Sequence, residues 1–239
     1  VVDWMADQAL AIHLNKALSR LTGVMSERTD PRLKMLLSWE EAGLEFSDEE
    51  KEALIDAIDS LKVLDPACGS GAFPMGVLQK LVHVLRKLDP KNRGWRRRQE
   101  AALERIESAT AREEARLAIE RAFAHDNDDY GRKLYLIENC LYGVDILPIA
   151  CQLAKLRFFI ALIVDQKIDD AYPNYGILPL PNLETKIVAA NTLLGLQRRL
   201  LLLANESILH LQIELQQVRH NYFTARRYKD KKALRAHET

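Results

Sequence analysis

The stretch from Val63 to Phe73, VLDPACGSGAF, constrains the fold more than any other part of the chain. A short apolar run from Leu61 to Leu64 stops at an acid, and a turn of small residues with two glycines follows. Helical spacing of apolar residues resumes from Pro74 to Leu88. Because glycine permits the left-handed backbone of tight turns, this pattern predicts a strand, a turn and a helix in succession.

The same order of features recurs twice further along the chain. The run Cys140 to Val144 stops at Asp145, and an apolar helical segment begins near Pro148. This segment is apolar on most faces, which predicts a helix buried against a sheet. A third short run, Lys186 to Ala190, ends at Asn191. Strands that alternate with helices predict an α/β fold with a parallel sheet.

The rest of the chain is predicted to be helical. The apolar positions Val1, Met5, Leu10, Leu14 and Leu18 have roughly helical spacing, which indicates an amphipathic helix within residues 1–25. Ser47 followed by acids matches a capping box, with turns and a short helix before it. We divide the chain into an N-terminal helical segment (1–60), a core (61–195) with a helical insertion (89–133), and a basic C-terminal helical segment (196–239).

Two basic stretches have alternative interpretations. The arginines at 96–98 are offset by the glutamates that follow them, which favours a salt-bridged surface helix, in an insertion that we expect to end in the polar turn HDNDDYG. The stretch from Val218 to Thr239 is rich in Lys and Arg, interleaved with aromatic residues. It is typical of a solvated helix, and the alternative is a patch that neutralises phosphates.

Composition narrows the class of protein. Lys and Arg together number 34, as do Asp and Glu, so the net charge does not call for a polyanionic partner. Cys68, Cys140 and Cys151 form no CxxC pair, which favours free thiols in a cytoplasmic protein and argues against a metal site. The longest apolar run is too short to cross a bilayer, so we expect no membrane partner.

The polar residues at the strand ends, Asp65, Asp145 and Asn191, indicate the kind of ligand. In parallel sheets ligands bind beyond the carboxyl ends of the strands. A carboxylate at Asp65 would repel the pyrophosphate of a dinucleotide but attract the ammonium and sulfonium of S-adenosylmethionine. Asp145 could accept hydrogen bonds from ribose hydroxyls, Ile146 could cover an adenine face, and Asn191 could contact its edge. The alternative is that these residues only cap the following helices.

The motifs resemble those of a known family. Asp65-Pro66-Ala67-Cys68-Gly69-Ser70-Gly71-Ala72-Phe73 resembles the first motif of the N6-adenine-specific DNA methyltransferases of restriction-modification and phage-defence systems. LYGVDILPIACQLAKLR (141–157) resembles the second motif, and LPNLETKIVAANTLLG (180–195) resembles the third. VVDWMADQAL resembles the helix after the upstream donor-binding motif. The resemblance implies an incomplete Rossmann-like methyltransferase sheet with large helical insertions.

The resemblance also implies which residues hold the cofactor S-adenosylmethionine: Asp65, Pro66, Ala67, Cys68, Gly69, Ser70, Gly71, Phe73, Asp145, Ile146 and Asn191. The family often has Asp at the position of Asn191. The assignment of Asn191 to the cofactor site therefore departs from the family pattern. Cys68 would pack the turn without acting as a nucleophile, because methylation of an adenine amino group needs no covalent enzyme intermediate.

The family's catalytic motif, Asn/Asp-Pro-Pro-Tyr/Phe, is absent, because no two prolines of the chain are adjacent. We therefore assign no catalytic residue. We expect the chain, which has no initiator Met, to be a fragment of a larger enzyme. The resemblance implies two kinds of partner. One is double-stranded DNA, bound through the full-length parent, and the other is the set of remaining domains of that parent. The alternatives are part of an RNA or protein amide methyltransferase, or a non-catalytic helical interaction module.

Overall fold

The fold is that of a computed structural model, which describes residues 1–23, 30–40, 43, 45–94, 96–98, 128–166 and 181–194, with isolated positions 112, 113, 116, 170, 175, 177 and 218. In chain order its elements are α1 (Val2–Thr22), α2 (Pro31–Leu37), α3 (Asp48–Asp59), β1 (Val63–Asp65), α4 (Ala72–Leu88), α5 (Asp128–Asn139), β2 (Leu141–Asp145), α6 (Pro148–Ile163) and β3 (Ile187–Ala189). Most of the predicted insertion and nearly all of the predicted C-terminal helical segment lie outside these residues.

The three strands form one parallel sheet in the order β1-β2-β3, as the sequence predicts. β1 begins two residues later than expected and includes Asp65. The reason is that the amide of Leu61 donates a hydrogen bond to the carbonyl of Ile58, so Leu61 still closes the end of α3. The structure is thus a mixed fold of helices on a small parallel sheet.

The two faces of the sheet differ in burial. Leu141 and Ile187 are almost completely buried on the face that carries helices, and α4, α5 and α6 pack against the strands. Leu64 and Val188 point to the opposite face, because side chains alternate along a strand, and both are exposed. The residues described here therefore cover one face of the sheet.

Helix α6 is apolar on two sides, but only one of them is buried. Four residues face the sheet and the neighbouring helices: Cys151, Ala154, Phe158 and Leu162. Five others are exposed: Ile149, Leu153, Leu156, Ile160 and Ile163. The prediction of a helix at Pro148 that is buried against the sheet is confirmed, and the second apolar side of this helix is exposed.

Helix α1 packs on α3 and α4. Its buried stripe is Ala6, Leu10, Leu14 and Leu18, whereas Val1 and Met5, which share the apolar spacing of the predicted amphipathic helix, are exposed. The cause is the crossing with α4, where a Cβ atom on Gly76 would lie 2.5 Å from Cγ1 of Val2. Val2 therefore packs against Gly76 of α4, and Val1 is exposed to solvent.

Lys80 of α4 joins this helix to α1 and to the end of α2. Its side chain is fully buried, and its Nζ lies 2.8 Å from the Leu37 carbonyl, 2.8 Å from Asp3 and 3.0 Å from Asp7. The same ammonium lies 4.1 Å from the centroid of the Trp39 ring. Because a buried charge is costly unless it is paired, these contacts specify how the three helices pack.

Helix α5 corrects the prediction for the stretch HDNDDYG, because Asp128 to Gly131 lie in a helix and not in a polar turn. The carboxylate of Asp129 accepts hydrogen bonds from Arg86 and Arg132. Burial raises the pKa of Asp129, and the two arginines overcome this effect and hold it below its usual value. Tyr130 is buried beside them. These tertiary contacts outweigh the turn propensity of the residues.

The capping-box prediction for α3 is confirmed. Ser47 caps the helix by accepting a hydrogen bond from the amide of Glu50, and the Glu50 carboxylate accepts one from the amide of Ser47. Arg97 and Arg98 form ion pairs, and their described partners are Glu52 and Asp56 of α3. No helix in the described part of the chain is both long and apolar enough to traverse a membrane.

Candidate functional site

The sheet brings together the polar residues predicted to end its strands. Asp65 lies beside Gly143 in the register of β1 and β2, and Asp145 lies beside Ala189 in that of β2 and β3. Asn191 follows Ala190, whose amide donates to the carbonyl of Asp145 at 2.9 Å. All three predicted positions therefore lie at the same carboxyl edge, which we call the site edge.

The glycine turn is held against β2 by its own backbone. The amide of Cys68 donates to the carbonyl of Val144 at 2.9 Å, and the amide of Gly71 donates to the carbonyl of Cys68 at 2.8 Å. Gly69 and Gly71 have φ values of +53° and +82°, in the left-handed region that favours glycine. The predicted tight turn is confirmed at these two residues.

Asp145 links β2 directly to this turn. Its Oδ2 accepts a hydrogen bond of 2.8 Å from the amide of Gly69, and its Oδ1 accepts one of 2.9 Å from the amide of Leu147. The second contact is a local turn that precedes α6, whose N-cap is Leu147 and which has no side-chain cap hydrogen bond, so Asp145 does not cap this helix. The first joins residues that are far apart in sequence, and it fixes the carboxylate at the site edge.

Asp65 is half-buried, and its Oδ1 accepts a hydrogen bond of 3.1 Å from the amide of Ala67. This is a local turn contact within the first motif. Among the described residues, Oδ2 of Asp65 accepts no hydrogen bond. Pro66, Ala67 and the partly buried Ser70 complete the surface of the turn.

Cys68 is buried between the turn and β2. A Cβ atom on Gly143 would lie 3.0 Å from its sulfur, so Gly143 makes room for the thiol. Burial raises the pKa of Cys68 to about 11, and the negative charges of Asp65 and Asp145 contribute. A thiol with so high a pKa is a poor nucleophile at neutral pH, which supports a packing role.

The third strand end carries two contacts, of which one escaped the sequence analysis. Oδ1 of Asn191 accepts a hydrogen bond of 3.0 Å from the amide of Leu193, within its own turn. Oγ1 of Thr192 donates a 3.1 Å hydrogen bond to the carbonyl of Pro66. Thr192 thereby ties the loop after β3 to the glycine turn. In the sequence, only the position of Thr192 next to Asn191 indicated that it lies at the site edge.

Apolar side chains border the site edge. Ile146 is 66% exposed, whereas Phe73 is half-buried against the core. Leu193 and Leu194 are also exposed beside Asn191. The last two were not predicted as site residues, although two leucines after a polar strand end are a visible signal.

Within the ranges that the structure describes, no group of three or more His, Cys, Asp or Glu side chains could hold a metal ion. The site edge instead offers two carboxylates, a carboxamide and a glycine turn. These groups suit an organic ligand that carries positive charge and hydroxyl groups.

Comparison with known proteins gives one similarity. The chain is 32% identical over 143 residues to a protein of Methanocaldococcus jannaschii named "Putative type II restriction enzyme and methyltransferase RM.MjaORFECS2P". The similar region is 60% of this chain and 9% of that protein. The chain therefore spans less than a tenth of the length of this relative. No family model and no solved structure matches the chain.

Proposed function

We propose that this chain contains the donor-binding part of a DNA methyltransferase of a restriction-modification system, with S-adenosylmethionine as methyl donor and the N6 of adenine as acceptor. The observation that carries the proposal is the 2.8 Å hydrogen bond from the amide of Gly69 to Asp145. It brings the glycine turn and the second acid together at one edge, where a nucleoside ligand could meet both.

The residues present fit this donor. Gly69 has open space where a Cβ atom would stand, so a ligand can approach its backbone closely. Asp65 offers a carboxylate for the ammonium of the amino-acid half. Asp145 has lone pairs left on both oxygens, since each accepts one hydrogen bond in the structure, and these could take the ribose hydroxyls. Once bound, the donor would supply the electrophilic methyl group.

The charge of the site edge argues against other nucleotide ligands. A dinucleotide or a nucleoside triphosphate would bring phosphates to a turn flanked by Asp65 and Asp145, and like charges repel. A sulfonium nucleoside meets attraction at the same place. The name of the relative, a restriction enzyme and methyltransferase, supports the reaction and DNA as the substrate. Adenine as the acceptor base rests on the resemblance of the Asp-Pro-Ala-Cys turn.

The chain is proposed to bind the donor without transferring its methyl group. An Asn/Asp-Pro-Pro-Tyr/Phe segment would accept hydrogen bonds from the adenine amino group and stack on the extruded base. No such segment occurs in the sequence. Incubation with tritiated S-adenosylmethionine and DNA should therefore leave the DNA unlabelled, and efficient labelling by this chain would contradict this part of the proposal.

Donor binding is tested by titration calorimetry with S-adenosylmethionine, NAD and ATP. We expect S-adenosylmethionine to bind most tightly of the three. Asp145→Asn should weaken its binding by about 10- to 100-fold, because a hydrogen bond to a charged group contributes about 1.5–3 kcal/mol. The same substitution should leave NAD binding weak.

Asp48→Asn is the matched control, since Asp48 is an acid on α3 whose side chain is 98% exposed. It should leave donor affinity unchanged, and circular dichroism should show both variants folded. Tighter binding of NAD than of S-adenosylmethionine would refute the proposal. Equal losses in the Asp145 and Asp48 variants would show that the effect is one of overall charge and not of the site.

A further inference from the structure

Thr192 joins two strand ends that are not neighbours in the sheet. Its Oγ1 donates a hydrogen bond of 3.1 Å to the carbonyl of Pro66, which directly follows β1, whereas Thr192 follows β3. β2 lies between these strands, and neighbouring strands are about 4.8 Å apart, so the ends of β1 and β3 are separated by about 10 Å. The loop after β3 therefore crosses the end of β2 to reach the glycine turn.

The contact closes a ring of three hydrogen bonds around the end of β2. The amide of Cys68 in the glycine turn donates to the carbonyl of Val144 at 2.9 Å, and the amide of Ala190 donates to the carbonyl of Asp145 at 2.9 Å. The hydroxyl of Thr192 then connects the loop after β3 back to the turn. We call this arrangement the edge ring. Its closure fixes the distance between the glycine turn and the loop after β3.

Thr192 supplies the contact by which this loop reaches another segment. The other hydrogen bonds of residues 191–194 with the described part of the chain stay within the loop, where Asn191 accepts from the amides of Leu193 and Leu194. Leu193 and Leu194 are 91% and 75% exposed, so packing of these side chains does not hold the loop. In the residues that the structure describes, the position of the loop over β2 therefore depends on the Thr192 hydroxyl.

The acceptor of this hydrogen bond lies on a rigid part of the turn. The ring of Pro66 fixes its φ at about −65°, which limits the directions that its carbonyl can take. The residues on either side of Pro66 are held as well, because the amide of Ala67 donates to Oδ1 of Asp65 at 3.1 Å. The loop after β3 therefore takes its position from the glycine turn.

The contact should contribute little to the stability of the fold. Thr192 is exposed, and water competes for the donor and the acceptor of an exposed hydrogen bond. A contact that adds little to stability, but closes the edge ring, is suited to placing one binding segment relative to another.

We propose that Thr192 is a positioning residue for the methyl donor, which holds the carboxamide of Asn191 at the distance from the glycine turn that one donor molecule spans. This inference rests on the proposed function, in which the turn binds the amino-acid half of S-adenosylmethionine and Asn191 contacts its adenine. Because the two halves belong to one ligand, both segments must be placed correctly at once. A loop that is already fixed to the turn loses less conformational freedom on binding, which raises affinity.

Titration calorimetry with S-adenosylmethionine tests the inference. Thr192→Val keeps the size of the side chain but removes the hydrogen-bond donor, and it should weaken binding by about 3- to 10-fold. Thr192→Ser keeps a hydroxyl and should bind within about twofold of the unmodified chain. Thr22→Val is the matched control, because the Thr22 hydroxyl donates to the Leu18 carbonyl at the end of α1, and it should leave the affinity unchanged.

A double-mutant cycle separates positioning from a general effect on stability. If Thr192 acts through Asn191, Thr192→Val should change donor affinity by less than about twofold in a chain that already carries Asn191→Ala. If the hydroxyl only stabilised the fold, the two losses of affinity would add. Urea denaturation of Thr192→Val should give a midpoint close to that of the unmodified chain, since the hydrogen bond is exposed.

The results distinguish this inference from the proposed function on which it rests. If the unmodified chain does not bind S-adenosylmethionine more tightly than NAD, the proposed function fails and the inference fails with it. If it does, but Thr192→Val binds S-adenosylmethionine equally well, the proposed function stands and the inference alone is refuted. Equal losses from Thr192→Val with and without Asn191→Ala would also refute it, since Thr192 would then not act through Asn191.

Discussion

Gly71 and Ala154 approach so closely that a Cβ atom at Gly71 would lie 2.9 Å from the Cβ atom of Ala154 and 3.2 Å from its Cα atom. Gly71 is the residue before α4, with a φ of +82°, and Ala154 is buried on α6. The last glycine of the turn therefore sets the distance between the two helices beneath the site edge.

Gly71→Ala should lower the free energy of unfolding by about 2–5 kcal/mol, as measured by urea denaturation. A left-handed backbone costs a non-glycine residue about 1–2 kcal/mol, and an overpacked contact adds about 1–3 kcal/mol. Gly69→Ala is the control, because its φ is also positive but nothing lies within 4 Å of its Cβ position. It should cost only about 1–2 kcal/mol. Equal costs at both positions would show that the contact with Ala154 is unimportant.

Asn191 should tolerate Asp better than Ala. Asp keeps an oxygen that can accept the Leu193 amide and a ligand amino group, whereas Ala removes both contacts. Calorimetry with S-adenosylmethionine should give an affinity within about threefold of the unmodified chain for Asn191→Asp. Asn191→Ala should lose about tenfold, which matches a hydrogen bond of about 1–1.5 kcal/mol. An unaffected Asn191→Ala variant would remove this residue from the site.

Arg32 should make the stability of the fold depend on acidic pH. Its hydrogen bonds hold the pKa of Asp30 below its ordinary 3.8 and that of Glu50 below its ordinary 4.5. A carboxyl whose pKa is lowered by folding stabilises the protein above its ordinary pKa. That stabilisation is lost as the pH falls through the lowered value.

Arg32→Gln should therefore cost about 1–2 kcal/mol at pH 7, and the difference from the unmodified chain should shrink below pH 4. Thermal or urea denaturation between pH 3 and pH 7 measures this difference. Lys51→Gln removes an exposed ion pair of the neighbouring helix and should change little at any pH. A cost of Arg32→Gln that stays constant with pH would exclude the ion pairs as its source.

The cysteines should be unreactive in the folded chain. Burial raises the pKa of Cys68 to about 11 and that of Cys140 to about 12, from an ordinary value of 9.0. At pH 8 the Cys68 thiolate should be about 100-fold rarer than that of a free thiol. Intact-mass analysis after iodoacetamide treatment should show no adduct in buffer and three in concentrated urea. Rapid modification of Cys68 in buffer would contradict the packing role.

The sequence predicted the positions of the strand ends and the glycine turn better than it predicted the helices around them. The strand ends and the glycine turn obey local rules, because an acid after an apolar run and glycines at positive φ are set by neighbouring residues. Asp65, Gly69 and Asp145 were therefore placed at one edge correctly. The hydrogen bond between Gly69 and Asp145 could not be predicted, since it depends on the register between β1 and β2.

The errors have a common physical cause. The stretch Asp128 to Gly131 has turn composition, but ion pairs with Arg86 and burial of Tyr130 make it helical. In α1 and α6 the apolar periodicity was visible, yet periodicity alone does not say which apolar stripe faces the core. That choice was made by distant contacts, such as that of Val2 with Gly76.

The buried ammonium of Lys80 limits how the chain can be shortened for crystallography. A shortened chain that begins at β1 would lack Asp3, Asp7 and the Leu37 carbonyl. It would keep Lys80, whose buried charge these groups balance. The sheet and the helices of the first forty residues are therefore one unit for protein engineering. Shorter versions should keep both, or replace Lys80 with an apolar residue of similar length.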